Sequence, residues 1–94
     1  MLRIRFIAYG NVQGVGFRDF VCKIGNSCGL SGYAKNLDDG TVEIVAEGEE
    51  EKLSELARRL KGIKTPLGIR VEKLEAAEKM KISARSFASF GVKY

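Results

Sequence analysis

The chain contains no histidine among its 94 residues. That excludes imidazole as acid, base or nucleophile, and with it Ser-His-Asp arrangements and histidine-bearing zinc sites. Cysteine is scarce as well. Cys22 and Cys28 are the only two, too few for a four-cysteine metal centre. On a single helix they would stand about 9 Å apart along the axis, too far for a disulfide. They are expected as reduced, half-buried thiols that pack rather than react. Neither a metal site nor a cofactor is expected. Long apolar runs are also missing. Phe6-Ile7-Ala8-Tyr9 is typical, whereas a bilayer span needs roughly 20 apolar residues. The first residues carry no extended apolar stretch ahead of a small-residue cleavage site. The expectation is a soluble cytoplasmic protein without a membrane partner.

What remains is ordinary globular composition: 45% hydrophobic and 30% charged residues. The length suits one domain. Sixteen basic against twelve acidic residues leave a net charge of +4. That charge fits an anionic small substrate or a nucleic acid and selects neither.

Hydrophobic spacing orders the chain. Residues 2–9 alternate, with Ile4, Phe6 and Ala8 on one face and Arg3, Arg5 and Ile7 on the other, which predicts a strand. Residues 10–16 hold three glycines and read as a loop. Phe17, Phe20, Val21, Ile24 and Cys28 recur at helical spacing, and Gly29 marks a stop. Gly25 inside that helix is a departure, at about 1 kcal/mol relative to alanine. Short strands over 30–37 and 41–47 flank an Asp38-Asp39-Gly40 turn, which reads as a hairpin. A second helix over 49–61 buries Leu53, Leu56, Ala57 and Leu60. Its glutamates lie at the positive end of the helix dipole and its arginines at the negative end. The only proline, Pro66, centres a turn. Residues 69–75 begin as a strand with Ile69 and Val71 on one face. Lys73 then breaks the register and puts Leu74 on the other face. A polar stretch from Glu78 to Ser86 follows, and residues 87–94 close with a last strand.

This order predicts an α+β fold: a ferredoxin-like βαββαβ sandwich, its antiparallel four- to five-stranded sheet covered by two helices on one face. Such a fold hosts many functions and decides none. The informative stretch is Gly10 to Arg18, between the first strand and the first helix. It lacks the Gly-Lys-Ser/Thr of a Walker loop and the glycine spacing of a dinucleotide fingerprint. Two readings fit it. In one, the glycines let successive N–H groups converge on a phosphate, the helix start adds its own, and Arg18 adds a forked cationic donor. In the other, it is a tight strand-to-helix turn with an incidental arginine.

The run Val12-Gln13-Gly14-Val15-Gly16-Phe17-Arg18 resembles the phosphate-binding loop of the acylphosphatase family. Gly32-Tyr33-Ala34-Lys35-Asn36-Leu37, with Asp39-Gly40-Thr41-Val42-Glu43, resembles that family's second signature, and Gly29-Leu30 and Phe90-Gly91-Val92-Lys93-Tyr94 also match. The resemblance covers nearly the whole chain, so it implies a single acylphosphatase-like domain over 1–94. It implies an enzyme that hydrolyses the carboxyl–phosphate bond of acyl phosphates. Arg18 would bind the phosphoryl group, Asn36 would position the attacking water, and backbone N–H groups from Val12 to Arg18 would complete the phosphate site. Inorganic phosphate would be product and inhibitor, and the protein a monomer. The chain departs from the family at Asn11, where Arg is common, at Gly25 and Cys28, where Ala and Leu are usual, and at Ala34 and Lys35, which replace Val and Arg. None of these removes a catalytic group.

The chemistry agrees with the composition. A carboxylate leaving group has a conjugate-acid pKa of about 4.3 if it behaves as a glutamate, so it departs without a proton. Phosphoryl transfer of this kind needs positioning and charge stabilisation rather than a strong acid. Two other readings were weighed. A ferredoxin-like RNA-binding domain needs stacking aromatics on a strand, whereas Phe17 and Phe20 fall on a helix, so no nucleic-acid partner is expected. A carbamoyl-phosphate-handling module, like the acylphosphatase-type domain of hydrogenase maturation factors, would continue into zinc-finger cysteines, and none follows here.

Overall fold

Alternation, glycine stops and two apolar helix faces meet in one sheet. The computed structural model describes residues 1–94. Its elements are β1 (Leu2–Asn11), α1 (Phe17–Ser27), β2 (Ser31–Asn36), β3 (Val42–Gly48), α2 (Glu50–Leu60), β4 (Arg70–Lys81) and β5 (Phe90–Lys93). The sheet has five strands in the order β4-β1-β3-β2-β5. Both helices cover one face. Ile4, Phe6 and Ala8 of β1, Val42, Ile44 and Ala46 of β3 and Ala34 of β2 meet Phe17, Val21 and Ile24 of α1 and Leu53, Leu56 and Leu60 of α2 in the core. Neither helix is long and apolar enough to cross a membrane.

The sheet is mixed, where an antiparallel one was expected. β1 pairs antiparallel with β3 and β4, and β2 with β3, but β5 runs parallel to β2. The chain returns to β2 only after β3, α2 and β4, so no hairpin constrains its direction. Three element ends also move, and one broken alternation is explained. Gly10 and Asn11, read as loop, continue β1, because β4 carries on alongside them. β4 runs through Glu78 to Lys81, read as polar non-strand, because its inner edge is paired with β1 along its whole length. The register break at Lys73 is a bulge. Gly10 faces Val71 and Tyr9 faces Lys73, so Glu72 is the extra residue. The bulge returns Leu74, now opposite Ala8, to the same face as Val71. The last strand shrinks to Phe90–Lys93 because residues 82–89 are used otherwise.

They form a strap over the helix-free face. Glu47 of β3 lies fully buried beneath it. Its carboxylate accepts from Arg3 at 2.9 and 2.6 Å and from the backbone N–H groups of Ser86 and Phe87 at 2.8 and 3.2 Å. Burial pushes this carboxyl pKa up, and the Arg3 and backbone donors outweigh it and hold it below the usual range.

Gly25 has its reason in β5. A Cβ built there stands 2.5 Å from the Phe90 ring. Next to it, Asn26 Nδ2 donates to Phe90 O at 3.1 Å and Asn26 Oδ1 accepts from Phe90 N at 2.9 Å. The interior glycine thus lets the edge strand dock flat on α1.

Candidate active site

At the end of β1 the chain turns through residues 12–16 and enters α1. Gly14 and Gly16 have φ of 75° and 78°, the left-handed region that other residues occupy at a cost of about 1–2 kcal/mol. Gly16 is the N-cap of α1 and supplies no side-chain cap. The first intrahelical bond runs from Phe20 N to Gly16 O. The N–H groups before it have no partner inside the helix, and they stand at its positive end.

These groups border a cavity of about 100 Å³, the space of about three water molecules. Val12, Gly14, Gly16, Phe17 and Arg18 line it from the loop side, and Asn36 from the end of β2. The structure thus brings together two residues eighteen positions apart. Asn36 Oδ1 is buried and has no hydrogen-bond partner. An unpaired buried acceptor costs about 1–3 kcal/mol, so its persistence beside a cavity points to a ligand or water that satisfies it. The two larger hollows, of about 750 and 470 Å³, contain neither Arg18 nor Asn36. Only the small cavity holds Arg18 and Asn36 together.

Gln13 and Val15 are not among the lining residues. The Gln13 side chain turns away and donates to Leu37 O at 2.8 Å and Thr41 O at 2.9 Å. It ties the loop to the turn that follows Asn36, and so fixes the spacing between the two halves of the site. Asn11 pins the loop on its other side by donating to Gly68 O at 2.5 Å. The β2–β3 turn is itself braced, with Asp39 Oδ1 accepting from Thr41 N at 3.0 Å and from Thr41 Oγ1 at 2.5 Å. Asp19, Val92 and Tyr94 complete the lining, and sequence reasoning did not find them. Arg18 and Tyr94 in particular meet only in three dimensions.

Two other reactive side chains near the site fall outside the cavity. Tyr33 is on the opposite face, where it donates to Glu43 at 2.8 Å. Burial and that bond push its pKa up to about 12. Cys22 does not line the cavity. Burial pushes its thiol pKa up, Asp19 adds to the rise and Arg18 opposes it. A protonated thiol is a poor nucleophile, which fits a packing role. No group of three or more histidine, cysteine or acidic side chains is arranged to hold a metal ion.

Known proteins resemble this chain over nearly its whole length. The family model described as acylphosphatase matches residues 4–90. An acylphosphatase from Pasteurella multocida is 42% identical over 95 residues, covering 100% of both chains. The crystal structure of acylphosphatase from Bacillus subtilis superposes with a TM-score of 0.86 at 37% identity, again over 100% of both chains. The crystal structure of T. kodakarensis HypF matches with a TM-score of 0.80 and 35% identity, over 99% of this chain and 12% of that one.

Proposed function

The chain belongs to the acylphosphatase family and hydrolyses acyl phosphates, and on that premise we propose how its residues do so. The observation that carries the proposal is the meeting, in one cavity, of Arg18, the N–H groups at the α1 start and Asn36, whose Oδ1 has no partner in the protein. The phosphoryl group sits in the cradle formed by the 12–18 loop. Backbone N–H groups and the Arg18 guanidinium hold its oxygens. Asn36 Oδ1 accepts a hydrogen bond from a water and aims it at phosphorus, in line with the acyl oxygen. The new P–O bond forms as the bond to the acyl oxygen breaks. The carboxylate leaves with the electron pair, and the water's proton passes to a phosphoryl oxygen. Charge building on the equatorial oxygens is met by donors already in place.

The reading extends to the protein as a whole. Residues 1–94 act as one domain around a single core, and as a monomer. A cytoplasmic location is part of the same reading. Inorganic phosphate, which offers the same oxygens to the same donors, is the product and a competitive inhibitor.

The substrate test follows from the leaving group. A carboxylate departs without a proton, whereas a leaving alkoxide needs one. Benzoyl, acetyl and carbamoyl phosphate are expected to be hydrolysed in the presence of EDTA, and alkyl phosphomonoesters far more slowly. Equal rates on the two classes, or loss of activity in EDTA, would overturn the proposal.

A further inference from the structure

Arg18 makes no ion pair, whereas Arg3, Arg5, Arg58, Arg59 and Arg70 do. A long side chain with no anchor spends much of its time away from any one position, and ordering it on ligand binding costs rotamer freedom. The guanidinium nevertheless has one partner. Its Cζ lies 4.9 Å from the centroid of the Tyr94 ring, and both residues line the phosphate cavity.

Tyr94 is brought there by a fixed route. β5 pairs parallel with β2, and Lys35 faces Lys93. Asn36 and Tyr94 follow directly after this last pair, and both line the cavity. The same β5 is clamped to α1 through the Asn26 amide and the Phe90 ring over Gly25. α1 carries Arg18 at its start. The two partners of the cation–π contact are therefore carried by elements locked to each other, although the Tyr94 residue itself is 91% exposed.

We propose that Tyr94 is a positioning residue: its ring holds the Arg18 guanidinium over the cavity and leaves the planar N–H edge free for phosphoryl oxygens. This rests on the reading of Arg18 as the phosphate ligand. An exposed tyrosine adds little to the folded core, so its loss should register in phosphate affinity and not in stability. The size follows from exposed cation–π contacts, which correspond to about two- to fivefold in an equilibrium constant.

The experiment compares Tyr94→Leu and Tyr94→Phe with the parent chain. The readouts are inhibition by inorganic phosphate, KM and kcat for benzoyl phosphate, and the melting temperature. Tyr94→Leu is expected to raise the phosphate inhibition constant and KM about two- to fivefold with an unchanged melting temperature. Tyr94→Phe keeps the ring face and is expected to match the parent. Parent-like phosphate inhibition in Tyr94→Leu overturns the proposal. So does a Tyr94→Phe variant as impaired as Tyr94→Leu, which would put the effect in the hydroxyl. Arg18→Ala serves as the control for the underlying reading. If that variant still binds phosphate normally, the loop assignment itself fails, whatever Tyr94 does.

Discussion

Arg18→Ala is expected to lower kcat/KM for benzoyl phosphate by about 10²- to 10³-fold, the scale set by removing one preorganised donor from a developing anion. The physical reason is local. The phosphate cavity has backbone N–H groups, which are dipoles, and Arg18, which is the full positive charge among its lining residues. Nothing nearby replaces it, because Asp19 alongside carries the opposite sign. Inhibition by inorganic phosphate should weaken in parallel, since ground state and transition state present the same oxygens. Arg18→Lys should recover only part of the loss: a point charge reaches the site, but the planar fork that meets two oxygens at once is gone. An Arg18→Ala variant with full activity and full phosphate inhibition would remove the loop from the account.

Asn36→Ala should separate catalysis from binding. Its Oδ1 has no partner in the protein, so truncation breaks no internal hydrogen bond. It removes a buried unsatisfied acceptor instead, and the variant is expected to be no less stable than the parent. Losing the aimed water should lower kcat on the order of 10²-fold, the scale of a misplaced reactant. Phosphate inhibition should stay near its parent value, because Asn36 is assigned to water and not to phosphate. Asn36→Asp sharpens the contrast. It keeps an acceptor in the same place but adds a negative charge beside the phosphate, so it should weaken phosphate inhibition as well. Normal kcat with weakened phosphate binding in Asn36→Ala would mean that its role is wrongly assigned.

The loop, both helices and the β2–β3 hairpin were legible in the sequence because each depends on near neighbours. Glycines before Phe17, a helical stripe through Val21 and Ile24, and Asp38-Asp39-Gly40 between two strands are local signals. What escaped depends on contacts far apart in sequence. The bulge at Glu72 exists because β4 must follow β1 past Gly10, and read alone it appears only as a broken alternation. β5 runs parallel to β2 because the chain reaches it only after β3, α2 and β4, a route no local pattern shows. Gly25 looked like a weak point of the helix until Phe90 was seen to need the space. Within the site, the loop pattern and the family resemblance both point to Arg18, the resemblance alone to Asn36, and the structure sets both on one cavity. Gln13 was expected in the cradle through its backbone. Its side chain instead braces the turn after Asn36, and nothing in a glutamine between glycines announces that.

The account turns on where the water attacks. Hydrolysis of benzoyl phosphate in water enriched in oxygen-18, followed by mass analysis of both products, reads this directly. Attack on phosphorus places the label in inorganic phosphate and leaves benzoate unlabelled, which is the result predicted for a phosphoryl group held by the 12–18 loop and a water held by Asn36. Label in benzoate would mean attack at the acyl carbon, and the cradle could then not be the centre of the reaction.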